Sequence, residues 1–232
     1  PRSLSKGGHP LLERITAAGY QLVFPSPGAQ PTEEQLLAVI DDAVGYLAGV
    51  ERISAALLAR AARLEVISRH GSGVDHIDLA AAAARGIAVL RAEGANARGV
   101  AELAFGHILA AARGIAFADA ELKAGRWTRQ KGFELEGRTL GLVGCGRIGK
   151  QVARFALAFD MRVLAYDPYP DHTFAPSPAF AFASLPEVLR QAQVVSLHCP
   201  PPADGRPLLD APALAALRRG AVVVNTARQG LV

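Results

Sequence analysis

The chain has 232 residues, half of them hydrophobic and one fifth charged, with a formal net charge of +4. That length suits one or two domains with a sizeable core, and the composition is that of a globular protein. Lys and Arg are spread along the chain without a basic run interleaved with aromatics, which argues against nucleic-acid binding, and no apolar stretch reaches membrane-spanning length or reads as a signal peptide. Cys145 and Cys199 have no metal-ligand spacing, so no metal site is expected. A reducing, cytoplasmic location follows as the simpler reading of so few cysteines.

Helix and strand signals alternate from the start. Pro10 opens a helix through Leu11, Leu12 and Ile15, which Gly19 closes, and Gln21 to Phe24 reads as a strand. Thr32 and Gln35 form a capping box for a helix through Leu36, Leu37 and Ile40. A strand is expected over Val44 to Leu47, then a helix capped by Ser54 and a strand from Leu64 to Ile67. Asp78 caps Leu79 to Arg85, Gly86 ends that helix, and Ile87 to Leu90 is the next strand. Repeated β-α units of this kind predict a parallel sheet covered by helices.

Asn96 to Leu122 breaks the rhythm. Val100, Leu103, Ala104, His107, Ile108 and Ala111 recur at helical spacing and mark one face of a long helix that joins two domains. The second α/β series has strands at 139–143, 162–166, 194–197 and 221–224. Its helices follow Gly149, the Ser184–Glu187 cap and Ala211, while the Pro- and Ala-rich stretch Phe174 to Phe182 reads as a surface loop. The expected architecture is α/β, with two doubly wound parallel-sheet domains at residues 1–93 and 94–232 and a cleft between them. Neither Pro1-Arg2-Ser3 nor Gly230-Leu231-Val232 reads as a natural terminus, so both domains are expected to be incomplete.

The strongest local signal is the apolar run Leu140 to Val143 leading into Gly144-Cys145-Gly146-Arg147-Ile148-Gly149, then a helix, a strand and Asp167. Strand, glycine turn, helix, strand and acid in register form a dinucleotide-binding fingerprint. Gly144 permits the tight turn, Gly146 lets backbone approach a pyrophosphate, and Gly149 lets helix and strand pack closely. Backbone N–H groups of Arg147 and Ile148, at the positive end of the helix, suit phosphates. Asp167 suits ribose hydroxyls and repels a 2′-phosphate, so NAD is favoured over NADP. Ser72, Gly73 and Val74 lie in a glycine turn whose N–H groups could cradle a carboxylate.

Three segments, "SRHGSGVDHIDLAAAAARGIAV", "GANARGVAELAFGHILAAAR" joined to "LVGCGRIGKQVA", and "VVVNTARQGLV", occur together in this order. In them the chain resembles the D-2-hydroxyacid dehydrogenases, and most of all the phosphoglycerate dehydrogenase and hydroxypyruvate or glyoxylate reductase branch. The resemblance implies a Rossmann-type NAD domain beside a flavodoxin-like substrate domain. It also implies NAD-dependent interconversion of a 2-keto acid and a D-2-hydroxy acid. Arg228 would be the catalytic arginine that binds the substrate carboxylate and polarises the keto group, a task for its planar, permanently charged fork. Ser72, Gly73, Val74, Asn96 and Arg69 fall on the substrate side. His198, Cys199 and Pro200 shape the nicotinamide-ribose side, and Thr226 and Ala227 join the cofactor set.

The resemblance implies further that the acid/base histidine and its glutamate lie beyond Val232, so His198 is not the proton donor. His70 beside the turn is an open candidate for substrate contact. Cys145 reads as a small turn residue, and His107 as core or interface. Val100 to Trp127 resembles the family's dimer contact, so a homodimer is expected. Gln229 in place of the usual glycine and the "PPPADGRPLLD" loop depart from the pattern. The position near Ala48 where phosphoglycerate-specific members carry an extra arginine lacks one here, which weakly disfavours a phosphorylated substrate. A non-enzymatic NAD-sensing scaffold of the same fold is the chief alternative. A methyltransferase that uses the glycine turn for S-adenosylmethionine is weaker, because "GSGVD" and "NTARQG" do not belong to it.

Overall fold

Short apolar runs between capped helices build two parallel sheets. The computed structural model describes residues 1–232 apart from Ser3 and Gly7. It divides into two compact units, Pro1–Ala95 and Asn96–Val232.

The first unit contains helices α1 (Arg2–Gly7), α2 (Pro10–Ala17), α3 (Glu33–Leu37), α4 (Ala55–Arg60) and α5 (Leu79–Ala84). Its strands are β1 (Gly45–Ala48), β2 (Val66–Arg69) and β3 (Ala88–Arg91). They pair in parallel in the order β1-β2-β3, with Ala48 opposite Arg69 and Arg69 opposite Arg91. The expected caps form: the Gln35 N–H donates to Thr32 Oγ1 and the Thr32 N–H to Gln35 Oε1, while Ser54 and Asp78 accept from Leu57 and Ala81. Leu57, Leu58, Ile53, Ile67 and Ile87 form the core. The expected strand at Gln21 to Phe24 is absent. Its residues alternate suitably, but a strand needs a hydrogen-bonding neighbour; none is supplied among the described residues, and Val23 and Phe24 stay exposed. The three parallel strands of this sheet run in chain order.

The second unit opens with α6 (Ala97–Arg113) and α7 (Ile115–Lys123). The sequence pattern predicts a single connector helix here, and Gly114 divides it. Its left-handed backbone (φ 62°) caps α6, the Phe133 N–H takes the Ala112 carbonyl, and the axis turns by 68°. The buried face of α6 also differs from the expected one. Ala97, Ala101, Ala104, Phe105, Ile108 and Ala112 face inward, whereas Leu103 is 54% exposed and His107 lies on the outside. Small alanines win the interior because α8 (Arg147–Ala158) packs against them through its own small side chains, Ala153 and Ala156. His107 is therefore not a core residue.

The sheet comprises β4 (Thr139–Val143), β5 (Arg162–Tyr166), β6 (Phe180–Phe182), β7 (Val194–Leu197) and β8 (Val222–Asn225). All pairs are parallel, in the order β6-β5-β4-β7-β8. β6 lies within the stretch expected to be a loop; Phe180 and Phe182 meet edge to face at 5.1 Å, as do Phe174 and Phe180, and the three rings give it a hydrophobic anchor that Pro and Ala counts conceal. Side chains alternate across the sheet. Leu140, Leu142, Val163 and Ala165 face α6 and α8. Val143, Val195 and Leu197 face the side of α9 (Leu185–Gln191) and α10 (Ala211–Ala215). Burial on both faces is why these strands read as continuous apolar runs. The unit is an α/β, Rossmann-type dinucleotide-binding domain. Among the described residues, no single helix is long and apolar enough to cross a membrane.

Candidate functional site

Strand order reverses between β4 and β7, and in open α/β sheets ligands bind outside the carboxyl ends of strands at such a switch point. The glycine turn sits there. Gly144 has φ +92°, and a Cβ on it would lie 2.7 Å from the His198 carbonyl, so the loops after β4 and β7 touch backbone to backbone. A Cβ on Gly149 would lie 2.2 Å from the Gly144 carbonyl oxygen, so α8 begins against the turn itself. Gly146 is the N-cap, with no side-chain cap and no acid in the first turn of α8, and the space in front of it is open. An uncapped helix start with bare backbone in front of it fits a pyrophosphate.

Asp167 follows β5 directly. Its Oδ2 accepts from the Cys145 N–H at 2.8 Å and its Oδ1 from the Tyr169 N–H at 2.9 Å. The acid is thus fastened to the glycine turn, with lone pairs left over for ribose hydroxyls. The loop beyond it is drawn back to α8 by Lys150 Nζ at 2.5 Å from Asp171 Oδ2, and this bond holds the Asp171 carboxyl down to about 2. Burial, aided by the charge of Asp167, pushes the Cys145 thiol up to about 11. Near neutral pH it is a protonated packing residue rather than a nucleophile.

On the other side of the switch point the His198 N–H donates to the Val143 carbonyl at 2.7 Å. Its ring turns back to buried Ser196, with Nε2 2.9 Å from Oγ. Burial pushes the imidazole down to about 4, so it is neutral at physiological pH and is no source of a proton. Folded His198 resists protonation that the unfolded chain accepts between pH 6.5 and 4. Its contribution is therefore complete above pH 6.5 and lost as pH falls towards 4, on the order of 3 kcal/mol. Urea midpoints compared at pH 7 and pH 4 should show this loss in the natural protein and a smaller one in His198→Gln; equal losses would refute it.

Arg228 lies beyond β8, two strands from β4 and at the same carboxyl edge. Asn225 shapes its turn: Nδ2 donates to the Arg228 carbonyl at 2.8 Å, and Oδ1 accepts from the Ala227 N–H at 3.0 Å. Sequence reading missed this residue, although an Asn whose side chain can take the N–H two positions on is a known turn signal. Arg228 Nη1 donates to the Ala227 carbonyl at 2.9 Å, and the side chain is exposed. Thr226 Oγ1, just past the carboxyl end of β8, is buried without a hydrogen-bond partner. Cys199 is half-buried and Pro200 exposed in the loop after β7. Asn96 stands at the start of α6.

Arg69, Ser72, Gly73 and Val74 belong to the first unit, Arg69 ending β2 and the others in the turn after it. Arg69 folds across that turn, with Nε donating to the Gly73 carbonyl at 2.9 Å and Nη1 to the His70 carbonyl. Ser72 Oγ reaches the Ala92 carbonyl at 3.5 Å, and the Ala92 N–H binds the Gly71 carbonyl at 3.1 Å. His70 is exposed beside it. Among the described residues no group of three or more His, Cys, Asp or Glu could hold a metal ion.

The sheet order, the bare helix start and the fastened acid define an NAD-binding domain. Residues 105–232 match the family described as "D-isomer specific 2-hydroxyacid dehydrogenase, NAD binding domain". The chain belongs to the D-isomer-specific 2-hydroxyacid dehydrogenase family. It is 40% identical over 205 residues to the D-3-phosphoglycerate dehydrogenase of Methanocaldococcus jannaschii, a match that covers 87% of this chain and 39% of the relative. It is 38% identical over 203 residues to the hydroxypyruvate reductase of Thermotoga maritima, with 86% and 65% covered. Among solved structures, the TT0316 protein from Thermus thermophilus superposes with a TM-score of 0.86 at 40% identity, over 95% of this chain and 71% of the other. The chain therefore spans about two fifths to two thirds of the length of these curated relatives.

Proposed function

We propose that the protein interconverts a 2-keto acid and a D-2-hydroxy acid with NAD(H). The observation that carries this reading is the placement of Arg228 at the same edge of the same sheet as the glycine turn, two strands and roughly 10 Å away across the sheet. Gly144, Gly146, Arg147, Ile148 and Gly149 hold the pyrophosphate, Asp167 the adenosine ribose, and His198, Cys199, Pro200, Thr226 and Ala227 border the nicotinamide half. Bound NADH supplies the hydride. Arg228 holds the carboxylate and stabilises negative charge on the keto oxygen as it develops. Ser72, Gly73 and Val74 offer backbone N–H groups to the carboxylate, Arg69 keeps that turn in shape, and Asn96 lies on the substrate side. The proton donor is not His198.

Turnover with glyoxylate, hydroxypyruvate and simple 2-keto acids, followed as NADH oxidation, tests the reading. NADH binding without oxidation of any of them would favour an NAD-sensing scaffold instead. Asp167→Ala should move the NADPH-to-NADH affinity ratio at least about tenfold towards NADPH, because the repelling carboxylate is gone. It should also weaken NADH binding, because the Cys145 N–H loses its acceptor. Fluorescence titration with both nucleotides measures the ratio; an unchanged value would remove Asp167 from cofactor choice.

A homodimer is part of the same proposal. Leu103, Ile115, Phe117, Leu122 and Trp127 are 41–76% exposed along α6, α7 and the segment after them, a large apolar surface for a lone chain. Two unpaired cysteines support a reducing, cytoplasmic setting.

A further inference from the structure

The loop that enters β4 builds a pocket at the amino end of the second unit's sheet. Arg113, Phe133, Glu134, Glu136 and Arg138 supply its side chains, and its volume of about 450 Å³ is that of a small-molecule site. Arg138 stands immediately before β4 and Gly144 immediately after it. At about 3.3 Å per residue, roughly 20 Å of strand separates this pocket from the cofactor turn. The residues assigned to NAD(H) and the 2-keto acid do not line it.

The loop is held from several sides. Gly132 lies so close to α6 that a Cβ on it would stand 2.4 Å from the Ala112 carbonyl oxygen, and Phe133 donates its N–H to that same oxygen at 2.8 Å. Leu135, 5% exposed, plugs the loop into the core. The Gly137 N–H donates to the Asp160 carbonyl at 3.0 Å. Arg138 is fixed as well. Its Nε donates to the Glu134 carbonyl at 2.6 Å, and its guanidinium lies over the Phe133 ring, 4.6 Å from the centroid. Anchoring through Nε leaves both terminal NH2 groups as donors for a carboxylate.

Charges of both signs share this pocket without cancelling. Among the described residues, the Arg113, Glu134 and Glu136 side chains form no ion pair or hydrogen bond. Arg113 is also the last residue of α6, where the helix presents its negative end, a setting that favours a cation. A purely anionic ligand would meet two carboxylates here, and a purely cationic one two guanidiniums. A molecule with one charge of each sign is matched by both.

We propose that this pocket is a second ligand site that binds a free amino acid, with its carboxylate on Arg113 and Arg138 and its ammonium facing Glu134, Glu136 and the end of α6. The inference stands on the second unit alone and does not depend on the reading of the cofactor site.

The test is calorimetric titration with each of the standard protein amino acids in turn. At least one should bind. Its two singly charged analogues, the acid without the ammonium and the amine without the carboxylate, should each bind at least about tenfold more weakly. Arg113→Gln and Glu136→Gln should each lower the affinity for that amino acid at least about tenfold. Both side chains are exposed, so the variants should fold and bind NADH as the natural protein does. Binding of none of the amino acids, an analogue that binds as tightly as its parent, or full affinity in either variant would overturn the inference. An NADH titration of the same samples keeps the dehydrogenase reading separate: intact NADH binding without amino-acid binding rejects the pocket and leaves the cofactor site standing.

Discussion

Arg228→Lys should lower kcat/KM for the 2-keto acid by at least about 100-fold while leaving the NADH dissociation constant within about twofold. Lysine keeps the charge and loses the planar fork. A guanidinium can pair with a carboxylate through one N–H and a keto oxygen through another, whereas an ammonium presents a single point of charge. The loss should fall mainly on kcat, because charge on the keto oxygen grows only in the transition state. The turn itself should survive, since Asn225 holds it through backbone groups of Ala227 and Arg228 rather than through the guanidinium. Steady-state kinetics with a parallel NADH titration separates the two effects. Turnover within about threefold of the natural protein would take Arg228 out of the chemistry.

Gly149→Ala should weaken NADH binding at least about tenfold and cost about 1–3 kcal/mol of stability. The sign is not obvious from propensity, because Ala in a helix is worth up to about 1 kcal/mol more than Gly. Geometry decides it. The new Cβ would stand 2.2 Å from the Gly144 carbonyl oxygen, and that oxygen belongs to backbone held in place by both β5 and the loop after β7. α8 must then lift away from the turn and carry its N–H groups off the phosphates. Gly106→Ala is the matched control: it lies in α6 with nothing within 4 Å of its would-be Cβ, so the same change there should stabilise. Thermal unfolding of both variants should move in opposite directions; equal shifts would show that close packing at Gly149 does not matter.

Much of this is legible in the residues because local rules and tertiary context agree. The capping boxes at Thr32–Gln35 and Ser184–Glu187 name their helices, and the glycine turn with Asp167 names a site whose parts lie on consecutive elements. The failures share a cause. Gln21 to Phe24 has the alternation of a strand but lacks a neighbour to pair with, a condition that no local pattern contains. The buried face of α6 escapes a linear reading because hydrophobicity ranks Leu103 above Ala101, whereas close helix approach ranks them the other way. Gly114 is an available stop signal that a sustained apolar periodicity masks. The Asn225 clasp depends on which backbone groups lie beside it, and a chain read linearly does not show that.

The three-stranded sheet of the first unit has two dissimilar margins. Along β3 the outer rim ends in Arg91, ion-paired with Glu93, and such charges discourage another chain from docking edge to edge. Along β1 the rim is Gly45-Tyr46-Leu47-Ala48, uncharged and short, with its outward amides and carbonyls unmatched by any described strand.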